Sequence, residues 1–86
     1  MDFSDLIALK IQELMEEQKL NVNQLSKLTG IYRSTLTMFL KRKNRTIRLE
    51  NLLYICEAFD LKLSKFFSDK RFDDAEANDW RNKIEK

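Results

Sequence analysis

Lys41, Arg42, Lys43, Arg45 and Arg48 place five cationic side chains within eight residues, with no carboxylate among them. Groups so crowded repel one another and suit the neutralisation of a polyanion, where each contact releases condensed counterions. The plainer reading is a solvated basic loop. The net charge of the whole chain is only +2, so the local excess carries the argument. Residues 70–86 hold five basic and five acidic side chains, which cancel.

Other chemistries have little to work with. Histidine is absent, which removes the commonest catalytic base and zinc ligand. Cys56 is the single cysteine, so neither an internal disulfide nor a thiolate cluster can form. It lies on an apolar stripe and reads as a buried, inert thiol. Ser34 has no candidate base near it in sequence, and one glycine cannot build a phosphate-cradling loop. No enzymatic activity, cofactor or metal is expected. Charged residues make up 35% of the chain and no apolar run nears membrane-spanning length, so no membrane association is expected. The acidic start, with Asp2 and Asp5, is unlike a secretory leader and points to the cytoplasm.

The elements that must position the basic loop are helical. Phe3, Ile7, Ile11 and Leu14, widened by Leu6 and Met15, recur at helical spacing and predict a first helix over 3–18 with no evident stop signal at Lys19. Asn21 and Gln24 fit a capping box for a second helix over 22–29, with Leu25 and Leu28 as its apolar face. Gly30 ends it as a turn residue of positive φ. A third helix is predicted over 33–41, with Thr35, Leu36, Phe39 and Leu40 inward and Tyr32 a poor cap. Leu49, Leu52, Leu53, Cys56 and Phe59 mark a fourth helix. A short fifth, capped by Ser64, runs through Phe67, with Leu61, Leu63, Phe66 and Phe67 closing the core. The fold class is all-α, with residues 1–69 as the domain and 70–86 as a tail or further helix on which Phe72, Trp80 and Ile84 share a face. That face either docks on the core, meets a partner or stays loose.

The stretch from Leu25 through Thr29-Gly30-Ile31-Tyr32-Arg33 to Leu36 resembles the helix-turn-helix of phage-repressor proteins of the Cro/C1 (Xre-like) type. The stretch Leu49-Glu50-Asn51-Leu52 to Leu61 resembles the fourth helix of that family and the turn into the fifth. The resemblance spans roughly residues 3–68. It implies a five-helix lambda-repressor-like domain with a short C-terminal extension. Such domains bind double-stranded DNA as transcriptional regulators, often repressors, with the third helix in the major groove and often as a homodimer on two half-sites.

Carried onto this sequence, the resemblance assigns Arg33, Ser34, Thr37 and Met38 to base edges. Arg33 is the side chain able to donate two hydrogen bonds to guanine. Tyr32, Lys41, Lys43, Arg45 and Arg48 fall to the sugar-phosphate backbone. Arg33 has a competing reading as the partner of a nearby carboxylate, Thr35 as a stabiliser of the third helix, and Tyr32 as a residue packed on the second. The chain departs from the family at several points. Val22 stands where glutamine is common, Tyr32 where serine or threonine is, and Arg42 where glycine is. Met15 and Leu40 replace an ion pair of helices one and three. Changing both partners together keeps such a site neutral or better, so both are expected in the core. The alternative function is a protein-interaction or antitoxin-like module on the same fold, with the tail as its contact. Phe66, Phe67 and Trp80 offer apparent spare apolar area for a dimer.

Overall fold

The computed structural model describes residues 1–77. Among them five α-helices run in order: α1 (Phe3–Gln18), α2 (Val22–Thr29), α3 (Arg33–Leu40), α4 (Leu49–Ala58) and α5 (Leu63–Phe66). A 3-10 helix, Lys70–Asp74, follows. The arrangement is all-α, as the periodicity predicts. No helix of the described residues is long and apolar enough to cross a membrane.

Asp2 starts α1, its carboxylate accepting from the amides of Ser4 and Asp5. Leu6, Ile7, Ala8, Ile11 and Met15 form the buried stripe. Phe3, read from sequence as part of that stripe, is 43% exposed and turns its ring toward Phe67 and Phe72 instead. The helix stops because Lys19 adopts the left-handed conformation (φ 58°). Its amide donates to the Glu16 carbonyl and the Leu20 amide to that of Met15. The stop needs no glycine, hence its silence in the sequence.

The capping box of α2 is formed in both directions. The Asn21 side chain accepts from the Gln24 amide at 2.8 Å, and the Gln24 side chain accepts from the Asn21 amide at 2.9 Å. Gly30 takes φ 77°, as expected. Leu25 is fully buried, but Leu28 is 59% exposed. Past the Gly30 turn the chain drops Ile31 into the core, so this short helix needs only one leucine inside.

Leu36, Phe39 and Leu40 are the buried face of α3, and Thr35 is exposed, correcting its inward assignment. The helix ends one residue earlier than predicted, with Arg42 in the left-handed region (φ 62°). In α4 the inner stripe is Leu52, Ile55 and Cys56, followed by Phe59. Leu49 and Leu53 point outward, 78% and 41% exposed. Ser64 caps nothing: Lys62 precedes α5 and Ser64 lies within it. Leu63 lies at the surface, with Phe66 fully buried and Phe67 half-buried. The core joins α1 to α4 with Phe66 and includes Met15 and Leu40, so the exchange of an ion pair for two apolar side chains is accommodated.

Residues 70–77 lie along α1. Phe72 sits among Phe3, Phe66 and Phe67, its ring centroid 5.0–5.9 Å from theirs. The Phe3 amide donates to the Glu76 carbonyl (2.8 Å) and the Glu76 amide to that of Met1 (3.0 Å). Arg71 pairs with both Glu13 and Asp69 at 2.7 Å, and Lys10 reaches Asp69 at 3.2 Å. Phe66 is therefore core and not spare surface, while Phe67 packs beside it with part of its ring still exposed. The Phe72–Trp80–Ile84 face extends outside the described residues beyond Phe72.

Candidate nucleic-acid interface

The α2–turn–α3 unit is stitched by short polar side chains. The Ser26 hydroxyl donates to the Ile31 carbonyl across the turn. The Thr29 hydroxyl donates to the Leu25 carbonyl (2.8 Å) and accepts from the Ile31 amide (3.2 Å). These bonds satisfy backbone groups that a helix end leaves open and fix the angle at which α3 leaves the turn. Tyr32, at the start of α3, has no side-chain capping bond and is 82% exposed. It does not pack on α2.

The exposed side of α3 faces the basic loop. Ser34, Thr35 and Met38 form one wall of a shallow groove, and Lys43, Asn44 and Arg45 form the other. The loop is held there by the amides of Lys43 and Asn44, which donate to the Met38 carbonyl at 2.9 and 3.1 Å. Asn44 also accepts from the amide and hydroxyl of Thr46. Thr37 is not part of this groove. It is half-buried and borders a second, more apolar depression with Gln12, Met15, Val22, Leu40 and Lys41. Of the residues assigned to bases from sequence, Ser34 and Met38 thus line the groove, Thr37 faces the second depression and Arg33 lines neither. Thr37 lies one position before Met38 and turns about 100° away on a 3.6-residue helix.

The cations of the interface differ in what holds them. The Arg33 guanidinium donates to the Asn23 side-chain oxygen at 3.2 Å, a neutral partner from the first turn of α2, and not to a carboxylate. Lys41 and Lys43 have no carboxylate within ion-pair distance among the described residues. Arg48 meets Glu50 at 3.5 Å, both largely exposed. Arg45 is engaged by Asp2 at 3.0 Å and Asp5 at 3.6 Å, and Arg42 approaches Asp5 at 3.8 Å. Of the five loop cations, two are therefore tied to the start of α1. Nothing in the spacing of the sequence signals that long-range pairing. Asn23, Thr35 and Asn44 are groove or anchoring residues that sequence reading missed. Asn44 had a usable signal, an amide side chain set between cations.

A family model for the Cro/C1-type HTH DNA-binding domain matches residues 10–70. The chain belongs to that family. No curated protein and no solved structure matches it. As a Cro/C1-type domain it is a DNA-binding protein of the regulator class, and α2 with α3 is its helix-turn-helix. The matched stretch contains the turn, α3 and the whole basic loop. Asp2, Asp5 and most of the 3-10 segment lie outside it. Away from the interface, Cys56 is buried and desolvation raises its thiol pKa, in keeping with an inert core position.

Proposed function

We propose that this chain binds specific duplex DNA sequences as a homodimeric transcriptional regulator, a repressor in its simplest form, acting in the cytoplasm. α3 enters the major groove and the basic loop rests on flanking phosphates. The observation that carries this reading is the shared groove: Ser34, Thr35 and Met38 of α3 and Lys43, Asn44 and Arg45 of the basic loop line one shallow surface. Arg33, Ser34 and Met38 are the base-reading residues. Arg33 offers a guanidinium with its charge intact, Ser34 a hydroxyl and Met38 an apolar contact for a thymine methyl. Thr37, beside Lys41, is better placed for backbone than for bases. Lys41, Lys43 and Arg48 neutralise phosphate, Tyr32 lies on the sugar-phosphate chain and Arg45 borders the groove.

The test is a comparison of Arg33→Ala and Lys43→Ala on a preferred duplex and a scrambled one. Arg33→Ala is expected to lose about 1–3 kcal/mol of discrimination between them. Lys43→Ala is expected to weaken both equally and to lower the salt slope by about one. If both variants weaken both duplexes alike, α3 does not read sequence. A dimer is expected to select a sequence with two-fold symmetry, and an asymmetric preferred site with a monomeric complex would refute that part of the proposal.

A further inference from the structure

Asp2 has two tasks at once. Its Oδ1 accepts the Ser4 and Asp5 amides at 2.9 and 3.2 Å, starting α1, and also meets Arg45 at 3.0 Å. Asp5 stands one turn further on. Its Oδ1 is buried with no hydrogen-bond partner among the described residues, and the guanidinium groups of Arg45 and Arg42 offset its charge. Arg42 reaches back as well, donating to the Gln12 side chain at 3.2 Å and to the Leu40 carbonyl. Its left-handed backbone is a costly conformation for a side chain other than glycine, and these contacts hold it. The Asp2 end is itself held by the backbone bonds between Met1, Phe3 and Glu76. A continuous chain of contacts thus runs from residues 70–77 through the first turn of α1 to the loop that forms half of the groove.

We propose that Asp2 and Asp5 are positioning residues for DNA recognition: they fix Arg42 and Arg45, and so set Lys43 and Asn44 opposite Ser34 and Met38. The proposal rests on the DNA-binding reading above. The two carboxylates do not touch DNA and, being negative, oppose it. If the acids acted only through their charge, removing them would tighten binding to every duplex by one common factor. If they order the loop, removing them costs discrimination, because a loop that must be ordered on binding adapts to wrong sites as readily as to right ones.

The experiment compares wild type with the full-length Asp2→Asn/Asp5→Asn double variant, in which asparagine keeps a capping oxygen at position 2. Each is titrated with preferred and scrambled duplex over a salt series, and amide exchange is followed in the free protein. The ratio of preferred to scrambled affinity is expected to fall about tenfold, with scrambled binding unchanged or tighter. The salt slope is expected to steepen by about one for each guanidinium released to phosphate. The Lys43 and Asn44 amides are expected to exchange about tenfold faster. Asp5→Asn alone, which leaves the cap intact, is expected to move each quantity the same way by less, and stands in if the double variant does not fold. An equal gain on both duplexes, with the two amides as protected as in wild type, overturns the proposal. Should wild type prefer no duplex, the DNA reading fails on its own, and the exchange of the two amides still decides whether Asp2 and Asp5 hold the loop.

Discussion

At the scale of single residues, the interface shows that a positive charge in the sequence is not a positive charge on offer. Arg33 is held by a neutral amide, which orients it without neutralising it. Arg45 is held by two carboxylates, with which any other anion would have to compete. Arg48 lies between these cases, since an exposed pair such as that with Glu50 contributes about 0–1 kcal/mol and is screened by salt. Glu50→Gln is therefore expected to tighten binding to any duplex by a few-fold at low salt, about 1 kcal/mol at most, without changing sequence preference. Titration of preferred and scrambled duplexes checks this, and a changed preference would place Glu50 at the base edges. The basic cluster was legible because its five side chains are adjacent in sequence. The pairing of two of them was not, because Asp2 and Asp5 reach the loop only through the packing of α1 against α3.

Among the helices, the boundaries written in side-chain chemistry were the readable ones. Asn21, Gln24 and Gly30 announce α2 because a capping box and a left-handed glycine have sequence signatures. Lys19, Arg42 and Asp60 make the same kind of turn with φ between 54° and 62° and leave no such signature. In α4 two overlapping apolar stripes share one spacing, and the packing of α2 and α5 chooses Leu52 and Cys56 over Leu49 and Leu53. Lys19 and Gly30 make a matched pair of tests. Lys19→Gly relieves a left-handed strain at an exposed site and is expected to stabilise by about 0.5–1 kcal/mol. Gly30→Ala meets no atom within 4 Å of the added carbon, so its expected loss of about 1 kcal/mol comes from backbone conformation alone. Shifts of the urea midpoint at constant slope measure both. Arg42→Gly is expected to gain nothing, since the same relief is offset by the lost contacts to Asp5 and Gln12.

For the whole molecule, the C-terminal segment matters more than its composition suggested. Its mixed charges left a tail and a further, docked helix both open; in the structure a 3-10 turn docks, Phe72 completing the aromatic cluster and Arg71 bridging Glu13 and Asp69. Phe72→Ala is expected to cost about 2 kcal/mol, below the ~3–5 of a fully buried phenylalanine because Phe72 is only half-buried. Thermal or urea unfolding checks it, and an unchanged midpoint would mean the segment does not dock in solution. Arg71 holds the carboxyls of Asp69 and Glu13 below the usual range, chiefly through its side-chain hydrogen bonds. Carboxyls depressed in the folded state add stability above their unfolded values, near 3.8 and 4.5 for these two, and lose it as pH falls through the lower folded values. Arg71→Gln is thus expected to be less stable than wild type at neutral pH, with the gap closing as pH falls below about 4. A gap of constant size across that range would contradict the ion-pair account.

The central claim is that α3 and the basic loop together read a duplex sequence, and selection from a randomised duplex pool at two salt concentrations tests it most directly. The expected result is enrichment of one sequence at both salts, two-fold symmetric, with affinity falling as salt rises. Retention of duplex only at low salt with no sequence enriched would show a basic surface that binds DNA without reading it, and would contradict the claim.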